Sequence, residues 1–321
     1  MLFPGFIDLQ VNGFAGVDFN EPCTPEQIQH AIDAQRACGV TQFLPTIITS
    51  SLEHFASCAR AITSFSDPAI VGIHLEGPYI SPEDGPRGAH PRANVYDASI
   101  EDFKLRQDAA NGKIILVTLA PEVPNAIELI EYLVAQNIKV AIGHTAASPE
   151  QIRAAVKAGA TLSTHLGNGC ANLLPRHPNF IWEQLAADEL FASLIVDGHH
   201  LSAATVKSMV RAKTPARTIL VTDAIAAAGC APGIYHFSGM EIELSPNGRV
   251  AVLGAPNLAG SSLAMNDAVA NTVKFTGLKI EDVLPMASTL PAQYLGIEPR
   301  GEVIADWNEE HYSLIVKTVL L

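Results

Sequence analysis

The sequence predicts an α/β chain folded as a (β/α)8 TIM barrel with a reduced small β accessory region. Three observations carry this reading. Eight short, apolar, β-rich runs alternate with longer amphipathic stretches, the pattern of parallel βα units. Polar residues with chemical capability recur at the C-terminal ends of those runs, where such barrels place their sites. The glycine-rich turn that would open a doubly wound dinucleotide fold is absent. The 321 residues, 48% of them hydrophobic, suffice for one large barrel core.

The candidate strands are 6–11, 42–46, 69–74, 114–119, 139–142, 161–164, 193–196 and 218–221. Between the first two, 24–38 reads as a helix, with Pro25 in its first turn and Gly39 beyond its end. A helix is expected over 126–136. Another is expected over 148–158, with Ser148 as N-cap, Pro149 at the first helical position and Gly159 as the stop. From 232 the texture changes. Residues 233–253 read as strand, turn and strand, with a Pro-Asn-Gly turn at 246–248. Helical patterns return at 262–275 and 280–296, and the tail 302–321 is strand-like. The expected division is a barrel over 1–231 and 256–298, with the accessory region over 232–255 and 299–321.

Composition excludes some functions. A net charge of −13 and a pI near 5.2 argue against nucleic acid or an anionic membrane as partner. An anionic substrate would need a local basic pocket. Cys23, Cys38, Cys58, Cys170 and Cys230 are scattered and odd in number, which reads as reduced thiols and a cytoplasmic location. The start MLFPGFIDLQ lacks the basic segment of a secretory leader, and no apolar run is long enough to span a bilayer.

The third strand ends in His74-Leu-Glu76-Gly-Pro, the fifth in Gly-His144-Thr, the sixth in Thr-His165-Leu, the seventh in Asp197-Gly-His-His200 and the eighth in Thr-Asp223-Ala. Glu76, His144 and His165 together make a two-imidazole, one-carboxylate set suited to zinc with an open fourth position. A bound ion of this kind polarises a carbonyl and makes its water more acidic. His74 competes with Glu76, since residues two apart on a strand point the same way; Glu76 is favoured as ligand and His74 as a packing residue. Asp223 can take a proton from water and give it to a leaving amine, although an aspartate there is also an ordinary helix cap.

The segments PGFIDLQVNG (4–13), HLEGPYISP (74–82), GAHP (88–91), GHT (143–145), THLGNG (164–169), DGHH (197–200), TDA (222–224) and LAGSSLAM (258–265) occur in this order. With them the chain resembles the N-acetylglucosamine-6-phosphate deacetylases of the amidohydrolase superfamily, over nearly its whole length. The resemblance implies a barrel of the metal-dependent hydrolase type. Glu76, His144 and His165 match its metal ligands and Asp223 its general base and acid. His90 matches the histidine that polarises the acetyl carbonyl. Asn168, Gly169, His200 and Arg176 match substrate contacts, the last two toward phosphate, and Leu258, Ala259 and Gly260 match a loop over the substrate. It also implies one divalent ion per subunit, zinc with iron, manganese or cobalt as substitutes, and a homodimer in which one subunit lends phosphate contacts to the other.

The departures surround the sugar and not the metal. Many amidohydrolases bind a second metal with a His-x-His pair on the first strand; here Gln10 and Asn12 stand there, so a single ion is expected. Family members usually carry a β-sandwich segment before the PGFID strand, which implies a reduced accessory region here. The sixth-strand motif reads His165-Leu-Gly-Asn-Gly-Cys170, and Gly167 and Gly169 are expected to enlarge the pocket. The run from Glu76 to His90 is slightly long. The expected reaction is metal-dependent deacetylation of N-acetylglucosamine-6-phosphate. The alternatives are N-acetylgalactosamine-6-phosphate or an unphosphorylated N-acyl sugar as substrate, and a non-catalytic sugar-phosphate-binding barrel.

Overall fold

The computed structural model describes residues 1–171, 173–255 and 257–321; Pro256, the first residue of the expected second barrel segment, lies outside them. Eight strands form the barrel: β1 (Phe6–Val11), β2 (Val40–Ile48), β3 (Ile73–Glu76), β4 (Ile114–Leu119), β5 (Lys139–Ile142), β6 (Leu162–Ser163), β7 (Phe191–Leu194) and β8 (Thr218–Leu220). They hydrogen-bond in sequence order and in parallel. The ring closes where Asp223 N–H donates to the Gln10 carbonyl (3.0 Å) and Val11 bridges Ala224 in parallel. Every residue of β1 and β2 is buried, as expected of strands covered on both faces.

A helix follows each strand. Pro25–Ala37 starts at Thr24 in a capping box with Gln27, and Pro149–Ala158 starts at Ser148 in a capping box with Gln151. Gly159 ends the latter in the left-handed conformation that glycine favours. Among the described residues no helix is long and apolar enough to cross a membrane.

Three expectations change. The run 69–74 is a strand only from Ile73, because the Asp67 side chain accepts from Ala69 N–H (2.8 Å) and holds 67–70 in a turn; the strand then extends to Glu76. Residues 233–253 form three antiparallel strands, not two: β9 (Gly233–Phe237), β10 (Met240–Leu244) and β11 (Val250–Val252). The added turn is Ser238-Gly239, with both residues at positive φ (46° and 78°), the two-residue hairpin geometry. The helix expected over 280–296 breaks at Ser288 into Ile280–Ala287 and Thr289–Leu295. Pro291 has no N–H to give to the Ala287 carbonyl, and its ring would strike it.

The tail is a hairpin of β12 (Glu302–Asn308) and β13 (Ser313–Leu320). The strand Leu2–Pro4 adds to β12, a pairing that no local pattern announces.

Candidate active site

The C-terminal ends of the barrel strands deliver the buried polar residues of one cavity floor. On β3, His74 and Glu76 share the inward face. His74 Nδ1 lies 3.2 Å from Thr46 Oγ1 and Nε2 lies 2.8 Å from Thr118 Oγ1, which in turn contacts Thr164 Oγ1 at 2.7 Å. Burial pushes the His74 imidazolium down to about 4, so it is a neutral strut within the barrel. Its nitrogens are spoken for, which leaves Glu76 to face the cavity.

Three atoms converge above it. Glu76 Oε1 is 3.2 Å from His144 Nε2 and 3.0 Å from His165 Nε2, and the two imidazole nitrogens are 3.1 Å apart. The edge between ligands of a tetrahedral site with bonds of about 2.0 Å is about 3.3 Å, close to all three separations. Proton placement supports the same conclusion. His144 Nδ1–H donates to the Pro86 carbonyl (2.9 Å), so its Nε2 presents a lone pair to a carboxylate oxygen and to a second imidazole. One proton on His165 Nε2 cannot satisfy all three atoms, and His165 Nδ1 is buried without a partner among the described residues. The set therefore fits a cation. Burial opposes the Glu76 charge, yet protonated imidazoles at His144 and His165, or a cation in place of their protons, favour it, and the carboxyl is held well below the usual carboxylate range. A second grouping, Glu76, His90 and His144, has ligand atoms within 4.8 Å of one another. It is looser, and His90 Nδ1 is taken by Thr49 Oγ1 at 2.8 Å, so His165 is the better third member.

His144, His165 and Asp223 all have positive φ (50°, 28° and 50°), a costly backbone conformation for residues with a Cβ. Each stands where the chain turns out of its strand, and the turn aims the side chain inward.

Asp223 Oδ1 accepts from Asn12 Nδ2 (2.6 Å) and Gln10 Nε2 (3.1 Å), and Gln10 Nε2 also reaches Glu76 Oε1 at 2.9 Å. The Gln10 amide thus sits between two carboxylates with hydrogens, where a second cation would otherwise balance them. Burial, with Glu76 nearby, raises Asp223 to about 6. His90 packs against His144 with ring centroids 4.2 Å apart; burial and His144 keep it neutral, well below the usual imidazole range.

These residues floor a cavity of about 980 Å³. Asn168, Gly169, His200, Leu258 and Gly260 line it; Ala259 is buried behind the wall. Asp197 accepts from His200 Nδ1 (2.7 Å) and from the backbone N–H of His199 and His200, which fixes the His200 ring. Arg176 is exposed and does not line the cavity of its own chain. The expectation that Gly167 and Gly169 widen the pocket is corrected. A Cβ on Gly169 would lie 2.7 Å from His144 Nδ1, and one on Gly167 would lie 3.0 Å from Met209 Cε. The missing side chains face the protein, so these glycines let the loop close down onto His144 and the core.

Sequence reasoning missed several wall residues. Arg87 lines the cavity, donates to the His90 carbonyl (2.7 Å) and pairs with Asp84. Its place two residues before Ala89-His90 was a signal. Thr49 and the Pro86 carbonyl, which orient His90 and His144, gave none. Phe237, Met240 and Val252 bring the β9–β11 sheet to the cavity, and the β9 sequence Gly-Ile-Tyr-His-Phe carries no polar–apolar alternation that marks Phe237.

The amidohydrolase family model matches residues 1–306. The chain belongs to the amidohydrolase family. Within this family it is 36% identical to mouse N-acetylglucosamine-6-phosphate deacetylase over 313 residues, covering 93% of this chain and 75% of that one. It is 33% identical to N-acetylgalactosamine-6-phosphate deacetylase of Escherichia coli O157:H7, covering 93% of this chain and 79% of that one. The crystal structure of N-acetyl-D-glucosamine-6-phosphate deacetylase from Mycobacterium smegmatis superposes with a TM-score of 0.91 at 30% identity, over 100% of this chain and 86% of that one. A variant of that enzyme was solved in complex with N-acetyl-D-glucosamine-6-phosphate; its TM-score is 0.90 at 29% identity, over 99% of this chain and 85% of that one. The amidohydrolase barrel and the resemblance read from the motifs are thereby shown.

Proposed function

We propose that the chain hydrolyses N-acetylglucosamine-6-phosphate to glucosamine-6-phosphate and acetate. The observation that carries this reading is the convergence of Glu76, His144 and His165 within 3.2 Å of one another at the floor of the cavity that Asp223 and His90 also face. These three would hold one divalent ion, zinc, with iron, manganese or cobalt as substitutes. When bound, such an ion supplies Lewis acidity and a more acidic water.

The protein's own groups do the rest. Asp223, held by Asn12 and Gln10, takes a proton from the attacking water and delivers it to the amine nitrogen as the C–N bond breaks. His90 is neutral; with Nδ1 accepting from Thr49 it presents Nε2–H to the acetyl carbonyl and stabilises the developing oxyanion. Asn168, Gly169 and His200 receive the sugar under the Leu258–Ala259–Gly260 loop. Arg176 serves phosphate in the cavity of the other subunit of a homodimer, consistent with its exposure. We further infer a cytoplasmic enzyme and a division into the barrel, 1–231 and 256–298, and an accessory region, 232–255 and 299–321.

The 4-epimer, N-acetylgalactosamine-6-phosphate, stands as a second reading, because a relative named for that substrate matches at 33% identity. Acetate release from both phosphosugars and from N-acetylglucosamine, before and after chelation, tests the proposal. Metal-dependent release that is fastest from the glucosamine phosphate is expected. Faster release from the 4-epimer would move the substrate assignment, and release from none would refute the reaction.

A further inference from the structure

We propose that the cavity contains an extended apolar acyl subsite, so that the enzyme hydrolyses amino sugar phosphates carrying N-acyl chains longer than acetyl, propanoyl and butanoyl among them. This rests on the amide-hydrolase reading above and extends it from the amine half of the substrate to the acyl half.

The argument starts from the two directions in which an amide must leave the reacting centre. Its carbonyl is fixed between the Glu76–His144–His165 triangle and His90. Asn168 and Gly169 follow β6 and His200 follows β7, so the polar sugar-facing groups lie on that side of the barrel. The acyl chain departs the other way. The strand order of the closed ring places β2 directly across from β6.

At the end of β2 the lining is apolar. Ile48 ends β2, pairs in register with Glu76, and is followed by Thr49, which holds His90. Ile48 belongs to a separate buried cluster with Ile225, Phe237 and Ala259, against which Ala89, Met240 and Val252 pack. Of these, Ile48, Ala89, Phe237, Met240 and Val252 face the cavity. None carries a charge. The wall therefore begins at the reacting group and runs outward along the β9–β11 sheet. An acetyl methyl covers only its first part.

The chemistry is indifferent to chain length. Water oxygen bonds to the acyl carbon, the C–N bond breaks, and the proton relayed by Asp223 goes to nitrogen; the second water proton follows it from the acid to the amine, giving a carboxylate and an ammonium whatever lies beyond the second carbon. Fit alone decides, and each methylene moved from water onto this wall is worth about fourfold in affinity.

The test is kcat/KM for the N-acetyl, N-propanoyl and N-butanoyl derivatives of glucosamine-6-phosphate with zinc-loaded full-length protein. The subsite requires butanoyl to be hydrolysed as well as acetyl or better. A butanoyl kcat/KM below that of acetyl would overturn it and leave the deacetylase reading intact; steric rejection by a closed pocket would lower it roughly a hundredfold. No hydrolysis of any derivative by folded, metal-loaded protein would refute that reading and the subsite with it. Met240→Trp fills the wall and should lower the butanoyl-to-acetyl ratio by about tenfold. An unchanged ratio in this variant would contradict the placement, and the wild-type series stands even where the variant folds poorly.

Discussion

The floor of the cavity and its mouth are built on different principles. Floor residues stand at strand ends, are buried, and are held by specific partners: His144 by the Pro86 carbonyl, His90 by Thr49, Asp223 by Asn12 and Gln10. The mouth is made of loops and the small β9–β11 sheet, with Leu173 exposed. A rigid floor can fix atoms to a fraction of an ångström, as a bond-breaking step requires. A loop mouth can change its substrate without disturbing that geometry. The lesson is that reaction and substrate identity are separable here, and substitutions should sort accordingly.

The largest effects belong to the floor. Glu76→Ala removes the atom common to both imidazole contacts, so the protein should lose its bound metal and its activity together. Elemental analysis alongside acetate release checks this, and an active, metal-free variant would break the comparison at its root. Asp223→Asn keeps the shape but not the base. It should lower kcat on the order of 10²–10⁴-fold with KM little changed. A change confined to KM would assign Asp223 to binding.

Arg176→Ala probes the phosphate contact proposed for it. The loss of a charge-assisted contact to phosphate should raise KM for the phosphosugar roughly ten- to hundredfold, while KM for the plain sugar, kcat and Tm hold. Mixing this variant with Asp223→Asn subunits sharpens the result. If Arg176 serves the neighbouring cavity, mixed dimers regain the low KM in one of their sites. No recovery would place Arg176 in its own cavity or outside recognition altogether.

The same division explains what was legible in the sequence. Strand-end chemistry is local: a short apolar run followed by His or Asp identifies its own position, and so the place of Glu76, His144, His165 and Asp223 in one cavity could be read without coordinates. The eight-strand barrel was readable for the same reason, as were the capped helices at Thr24 and Ser148. What stayed hidden depends on contacts between distant segments. Leu2–Pro4 pairs with a strand some three hundred residues away. Thr49 matters only because the 81–92 loop folds over it. Gly167 and Gly169 read as pocket-widening because no pattern told which way an absent side chain would point. The Ser238-Gly239 turn was a local signal, but the stronger Pro-Asn-Gly turn nearby drew the whole segment into a single hairpin.

The last prediction asks what the rigid floor costs in stability. His74 is buried between Thr46 and Thr118, and burial lowers it from 6.5 to about 4. The unfolded chain binds a proton at His74 below pH 6.5 and the folded chain resists until about 4, so stability is full above 6.5 and is lost as pH falls toward 4. Between pH 7 and 5 this one group should cost about 2 kcal/mol. Asp8, raised by burial to about 7, acts in the opposite sense, since its proton is favoured in the folded state. A difference measurement removes that contribution. His74→Gln retains an amide between the two threonines and cannot titrate; it should be less stable than wild type at pH 7, and the gap should narrow by about 2 kcal/mol at pH 5 in urea unfolding. An unchanged gap would mean that His74 titrates like an exposed imidazole, and that the floor is wetter than its hydrogen bonds imply.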